Sequence, residues 1–134
     1  MNSTVLVNID ANLTNFVKII NFVENPFTLL KQTELFILSS KYEGLPNVLL
    51  EALTLRKFII SSNCPTGPKE ILLNGKGGLL FNVGNHNQLS KKILYYVKNK
   101  KKCLKMLQYA IQNLYRFDYQ KNLKKYLNLV NQII

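Results

Sequence analysis

The segment from Leu35 to Glu51 constrains the fold more than any other part of this 134-residue chain. It begins with a short apolar run, Leu35–Leu38, which a polar stretch follows. Such a run is typical of a strand, although its length alone does not exclude a buried helix. Gly44 permits a tight turn, and Pro46 suits the first position of a helix because its missing N–H costs nothing there. The segment therefore predicts a strand, a glycine turn and a helix start.

A strand that leads through a glycine turn into a helix is suited to binding an anion. The first backbone N–H groups of the predicted helix, those of Asn47, Val48 and Leu49, have no partner within it, and the helix dipole favours negative charge there. Glu43 lies in the turn and Glu51 lies further along the helix. Because carboxylates repel phosphate, we expect both to face neutral hydroxyls. The pattern predicts a nucleotide-sugar diphosphate, with an anionic middle and hydroxyl-rich ends; the alternative is a surface turn before an ordinary helix.

Short apolar runs alternate with helical patterns over the first two thirds of the chain. The predicted strands are Val17–Val23, Leu35–Leu38, Phe58–Ile60 and Leu79–Phe81, with Thr4–Val7 as a further short candidate. Predicted helices begin at Pro26, Pro46 and Pro68. This alternation indicates an α/β fold with a Rossmann-like parallel sheet of about four strands and helices on both faces. We expect the Glu43 turn and the loop 65–68 at the carboxyl edge of the sheet.

The chain from residue 86 onward is predicted to be a helical tail. Three apolar stripes recur at helical spacing, and Asp118 is the predicted cap of the last helix. We expect the stripes to be core; they comprise Leu89, Ile93, Leu94 and Val97, then Cys103 to Leu114, then Leu123, Tyr126, Leu127 and Val130. The predicted organisation is one domain, with a poorly assigned lead at 1–14, an α/β core at 15–85 and helices at 86–134.

The charge balance leaves two interpretations open. Eighteen Lys and Arg residues against seven Asp and Glu give a net charge of +11, and from Lys91 onward the only acid is Asp118. Such a surface suits an anionic membrane or a nucleic acid, and the other interpretation, which we favour, is a solvated helix surface in a lysine-rich chain. No apolar run is long enough to span a membrane, and no signal peptide is visible. With only two cysteines and no disulfide framework, we expect a reduced, cytoplasmic protein.

No metal site or catalytic histidine is expected. His86 is the only histidine and lies in a polar turn, so we expect a solvated residue. No group of cysteine, histidine and acidic residues has zinc spacing. Cys64 follows a predicted strand, but no base is adjacent to activate it as a nucleophile.

The glutamate pair also carries a family resemblance. Glu43 and Glu51 are separated by seven residues within SSKYEGLPNVLLEA, which resembles the donor-site signature of retaining GT-B glycosyltransferases of the family-4 type, glycosyl transferases group 1. The match continues through residues 61–72 and 75–81 and begins upstream at 17–22 and 25–27. The resemblance covers roughly residues 15–134.

The resemblance implies a fold and a set of binding residues. GT-B enzymes have two Rossmann-like domains around a cleft, and this chain resembles only the later part of the second, donor-binding domain. It is therefore expected to be a truncated chain that is inactive alone. By resemblance, Glu43 contacts the transferred sugar as the catalytic candidate, and Glu51 contacts the ribose hydroxyls. The implied substrate-binding residues are Glu43, Gly44, Leu45, Pro46, Asn47, Val48 and Glu51.

The function implied is that of a glycosyltransferase piece in cell-surface polysaccharide synthesis. It would bind a nucleotide sugar, with a UDP-sugar as substrate and no cofactor, for transfer to a saccharide or lipid-linked acceptor. A separate acceptor-domain chain is an expected partner, and the lysine-rich helices suggest peripheral contact with the inner face of the membrane. The alternative is a non-catalytic basic α/β module that binds a membrane or nucleic acid. The chain departs from the family where Arg56 replaces a usual glycine, Phe58 a proline and Asn21 a glycine.

Overall fold

A three-stranded parallel sheet forms the centre of the computed structural model, which describes residues 15–20 and 22–132. The strands are β1 (Leu35–Leu38), β2 (Phe58–Ser62) and β3 (Leu79–Phe81). They lie in the order β1-β2-β3, with Phe36 opposite Ile59 and Ser61 opposite Leu80. All three were predicted at these positions, and both pairings are parallel, so the predicted α/β sheet is confirmed.

Six α-helices surround and follow the sheet within the described residues. They are α1 (Pro26–Gln32), α2 (Asn47–Thr54), α3 (Pro68–Ile71), α4 (His86–Lys98), α5 (Lys100–Gln112) and α6 (Tyr119–Asn131). Short 3₁₀ turns occupy Leu73–Gly75 and Leu114–Phe117. The predicted helical tail is therefore present. The side chains of Asn25, Asn85 and Asp118 each accept a hydrogen bond from the first turn of the helix they precede, as N-caps do.

The core is built around β2. All five of its residues are buried, and because successive strand side chains point to opposite faces, both faces of the sheet are covered. Helices α2 and α5 supply much of the remaining core. Their buried residues are Leu49, Ala52 and Leu53 on α2 and Cys103, Leu107 and Ala110 on α5. Gly77 allows close packing, since a Cβ there would lie only 2.8 Å from the Cβ of Ala110.

The prediction of a strand at 17–23 is wrong for the residues that the structure describes. Residues 17–20 and 22–23 form no strand, so the described sheet has three strands and not about four. Val17, Ile19 and Ile20 are exposed. A strand propensity reflects fit to a half-buried pleated surface, and this segment pairs with no described strand. Asn21 and the candidate strand Thr4–Val7 lie outside the described residues.

Several predicted core positions are also exposed. Leu94 and Val97 of α4 and the whole apolar stripe of α6 are open to solvent, and α6 has no buried residue. In α1 only Leu30 is buried, and the apolar Phe27 and Leu29 are exposed. An apolar stripe shows which side of a helix can be buried, but another element must lie there to bury it.

Candidate functional site

Two loops meet at the carboxyl edge of the sheet. The first edge loop, residues 39–46, follows β1, and the second edge loop, residues 63–67, follows β2. Because these strands are parallel, both loops leave the sheet at the same edge, as predicted. The hydroxyl of Thr66 donates a hydrogen bond to the backbone carbonyl of Glu43. Ser62 Oγ donates to the backbone carbonyl of Ser40 at 2.7 Å, so side chains from the β2 side hold the first loop at two points.

Gly67 brings the two loops into direct contact. Its φ of +86° lies in the region that L side chains rarely adopt. A Cβ at this position would overlap the carbonyl oxygen of Gly44 and the ring Cδ of Pro46. Gly67 and Pro46 are both buried, whereas Gly44 and Leu45 are exposed. The loop geometry thus depends on a residue without a side chain at this one point.

The amino end of α2 is open. Pro46 was predicted at the first helical position, but it occupies the N-cap position, and the helix begins at Asn47. The proline side chain makes no capping hydrogen bond. The sequence predicted a free N–H on Leu49. In the structure this N–H donates to the Pro46 carbonyl at 2.9 Å, so that prediction is wrong. The N–H groups of Asn47 and Val48 donate to no described residue. With no acidic side chain in the first turn, this helix end has both the donors and the dipole to bind an anion.

The two glutamates lie on either side of this helix start in the chain. Glu43 and Glu51 are both partly buried, and neither carboxylate accepts a hydrogen bond from a described residue. Each therefore keeps its full acceptor capacity for a ligand hydroxyl.

An apolar hollow of about 220 Å³ lies beside Glu51. Its walls come from α1, β1 and α2 and comprise Pro26, Phe27, Leu29, Leu30, Thr33, Phe36, Val48 and Glu51. No residue of α1 was among the predicted site residues. The proximity of α1 to α2 depends on packing, so the only sequence signal was the Asn25-Pro26 helix start.

The other residues singled out in the sequence add no reactive group to this edge. His86 is an exposed residue at the start of α4, and Cys64, in the second edge loop, is a buried free thiol. Within residues 15–20 and 22–132, no group of three or more His, Cys, Asp or Glu residues is placed to hold a metal ion.

A second hollow, of about 330 Å³, lies near the start of β1 and β2, at the opposite edge of the sheet. Its polar groups are engaged with one another. Lys100 and Glu34 form an ion pair at 2.7 Å, which lowers the pKa of Glu34 and raises that of Lys100. Burial raises the pKa of Tyr96, whose ring stacks on Phe58 at 5.2 Å between centroids. Lys57 Nζ donates to the carbonyls of Lys31 and Thr33, so this cluster holds α1, α4 and the sheet together.

A three-stranded parallel sheet with helices packed against it, and with its connecting loops gathered at the carboxyl edge, is a Rossmann-like arrangement. The family follows from comparison: the model of the family "Glycosyl transferases group 1" matches residues 8–113, and the chain belongs to that family. The resemblance noted in the sequence is thus confirmed.

Curated relatives agree with this family. An uncharacterised glycosyltransferase of Methanocaldococcus jannaschii is 49% identical over 61 residues, which are 46% of this chain and 15% of the relative. N,N'-diacetylbacillosaminyl-diphospho-undecaprenol alpha-1,3-N-acetylgalactosaminyltransferase of Campylobacter jejuni is 32% identical over 79% of this chain and 28% of its own length. Poly(ribitol-phosphate) alpha-N-acetylglucosaminyltransferase of Staphylococcus aureus is 27% identical over 91% of this chain and 25% of its own. The chain spans less than a third of the length of these relatives.

Solved structures show the same fold. A crystal structure of TarM superposes with a TM-score of 0.71 at 26% identity, covering 82% of this chain and 22% of that one. A variant of S. aureus TarM, crystallised in complex with fondaparinux, alpha-GlcNAc-glycerol and UDP, superposes with a TM-score of 0.77 at 26% identity, covering 90% of this chain and 24% of that one. The GT-B assignment is therefore confirmed. Over the described ranges, every helix is too short or too polar to cross a bilayer.

Proposed function

We propose that this chain is the donor-binding part of a glycosyltransferase and that its edge loops bind the nucleoside diphosphate of a nucleotide sugar. One observation carries the proposal. At the open amino end of α2 the N–H groups of Asn47 and Val48 donate to no described residue, and in the chain this helix start is flanked by Glu43 and Glu51, whose carboxylates accept from none. Donors for an anion next to acceptors for hydroxyls match the chemistry of a sugar nucleotide.

Each part of the ligand has a proposed place. The diphosphate accepts hydrogen bonds from the amides of Asn47 and Val48, where the α2 dipole stabilises its charge. Glu51 accepts from the ribose hydroxyls, and the nucleobase lies against the apolar hollow beside Glu51. Glu43 accepts from hydroxyls of the transferred sugar at the other side of the helix start. Leu45 and Pro46 shape the turn between them.

The comparisons support uridine as the nucleobase. The TarM variant was crystallised with UDP, and this chain shares its fold over 90% of its length. The names of the Campylobacter and Staphylococcus relatives describe transfer of N-acetylhexosamines. We therefore propose a UDP-sugar as the substrate, with no further cofactor.

The remaining parts of the activity rest on the relatives alone. Their names specify undecaprenol-diphosphate-linked saccharides or poly(ribitol-phosphate) as acceptors, so a saccharide or lipid-linked acceptor is proposed here. The chain is proposed as part of a donor domain, with residues 15–85 as its α/β core and 86–134 as its helices. A separate acceptor-binding unit completes the cleft. The interpretation as a basic module for membranes or nucleic acid gains no support from relatives that carry glycosyltransferase names.

Titration with UDP, followed by the amide resonances of the chain, tests this proposal. We expect weak, saturable binding that shifts the amide signals of Gly44, Asn47 and Val48. Glu51→Ala should weaken binding by about 10-fold or more, because a hydrogen bond to a charged group contributes about 1.5–3 kcal/mol. Glu34→Gln is the matched control, since Glu34 lies near the opposite edge of the sheet in an exposed ion pair.

Two outcomes would contradict the proposal. An unchanged dissociation constant in Glu51→Ala would show that this carboxylate does not hold the ribose. Shifts confined to lysine-bearing residues of α4 to α6, and abolished by salt, would indicate non-specific attraction of an anion to a basic surface.

A further inference from the structure

We propose that Thr66 is a positioning residue for the donor site, which fixes the peptide between Glu43 and Gly44 so that the Gly44 N–H joins the anion-binding amides of α2. This inference rests on the proposed function for its ligand. Its geometric part concerns the free protein and stands independently.

The Thr66 hydroxyl determines the orientation of one peptide group. It donates to the carbonyl oxygen of Glu43. In a planar trans peptide the C=O and the following N–H point in opposite directions. The Gly44 N–H is therefore directed away from the second edge loop. It donates to no described residue, and Gly44 is exposed.

The first edge loop needs such a contact because it has little regular structure of its own. Between the end of β1 and the start of α2, residues 39–46 form bends and irregular backbone, without helix or strand. No atom beyond its chain neighbours lies within 4 Å of where a Gly44 Cβ would be, and the second edge loop approaches this residue closely only at its carbonyl group, through Gly67. Glycine also has the widest choice of backbone angles. The preceding Glu43–Gly44 peptide therefore depends on a further partner for its orientation.

Two further contacts define where the Thr66 bond acts. The buried Ser62 holds the loop at Ser40, close to the exit of β1. Gly67 packs closely against the loop at Gly44 and Pro46. Thr66 acts between these points, and it is exposed, so its hydroxyl rather than core packing is what it contributes. The second edge loop thereby also helps to fix the conformation of the first edge loop.

Thr66→Val and Thr66→Ser separate the hydroxyl from the rest of the side chain. We expect Thr66→Val to raise the dissociation constant for UDP about fivefold, the effect of one typical hydrogen bond. In the unliganded protein it should also shift the Gly44 amide resonance, because the Glu43–Gly44 peptide loses its partner. Thr66→Ser keeps the hydroxyl and should restore both properties.

Thr54→Val is the matched control. Thr54 is also exposed, and its hydroxyl donates to a backbone carbonyl, that of Leu50, at the far end of α2. It should leave both the Gly44 amide and UDP binding unchanged. Thr66→Ala removes the hydroxyl without putting a methyl group in its place. It gives a second test if Thr66→Val fails to fold.

The outcomes distinguish this inference from the proposed function. If wild type does not bind UDP, the proposed function fails, while a shifted Gly44 amide resonance in Thr66→Val still supports the geometric role. If wild type binds UDP and Thr66→Val leaves both the Gly44 amide and the dissociation constant unchanged, the positioning role is overturned. Equal weakening in Thr66→Val and Thr66→Ser would also overturn it, because the hydroxyl would then not be what matters.

Discussion

Arg56 shows how one residue ends α2 in an unfavourable backbone conformation. Its φ of +57° is left-handed. Its N–H donates to the carbonyl of Leu53, and the N–H of Lys57 donates to that of Ala52, which is the Schellman arrangement at a helix C-terminus. Glycine is the usual residue at this position because the left-handed conformation costs other residues about 1–2 kcal/mol. Arg56, which stands where the family usually has glycine, therefore carries this backbone strain.

Arg56→Gly is predicted to stabilise the protein. Relief of the left-handed strain should raise the free energy of unfolding by about 0.5–1 kcal/mol, after the greater freedom of glycine in the unfolded chain is subtracted. Urea denaturation at equilibrium measures this change. Arg56→Ala is the control, because it removes the side chain but keeps the backbone penalty. Equal stabilisation by Arg56→Ala would mean that the guanidinium, and not the backbone, is unfavourable.

At the scale of elements, α5 and α6 show that similar apolar patterns need not be equally buried. Both helices have thirteen residues and an apolar stripe. Helix α5 packs against α2 and β2 and buries Cys103, Leu107 and Ala110. Helix α6 contacts mainly the 3₁₀ turn before it, Leu114–Phe117, and buries nothing. The same substitution should therefore have different effects on the two helices.

Leu107→Ala and Leu127→Ala form a matched pair. Leu107 is 5% exposed and Leu127 is 52% exposed. Leu107→Ala should lower the free energy of unfolding by about 2–5 kcal/mol, whereas Leu127→Ala should change it by less than about 0.5 kcal/mol. Chemical denaturation monitored by circular dichroism compares them. Comparable losses in both variants would show that the α6 stripe is packed in solution.

At the scale of the whole molecule, no second domain lies opposite the carboxyl edge of the sheet within the described residues. The chain corresponds to 22% and 24% of the two TarM structures that it matches. A transferase must hold donor and acceptor in near-attack geometry, and that positioning supplies roughly 7–11 kcal/mol of the barrier. Edge loops that bind only a donor, as proposed here, would not supply it, and an open edge would not exclude water.

We therefore predict that this chain, by itself, transfers no sugar. Incubation with labelled UDP-sugars and saccharide or lipid-linked acceptors should give at most slow hydrolysis of the donor. A UDP titration of the same sample shows that the protein is folded and able to bind. Adding a chain that supplies the acceptor-binding domain is expected to restore transfer, and efficient transfer without it would contradict the prediction.

Much of the fold was predictable because strands and helix ends depend on near neighbours in the chain. The apolar runs at Leu35–Leu38 and Leu79–Phe81 are strands, and the caps Asn25 and Asp118 begin their helices, since these preferences act within a few residues. The location of Glu43 beyond a parallel strand followed from the same alternation. The ligand roles of Glu43 and Glu51 remain predictions.

The sequence by itself determined β1, β2 and β3, the cap of α6 at Asp118 and the turn from Gly44 to Pro46 before α2. Only the tertiary structure decided what these elements meet. The hydrogen bond from Thr66 to Glu43 joins residues 23 positions apart, and the hollow beside Glu51 depends on α1 lying against α2. Exposure of residues 17–20 and of the α6 stripe was likewise decided by the absence of a described partner surface. Periodicity reports which face of an element can be buried, whereas burial and contact require a second element at that face.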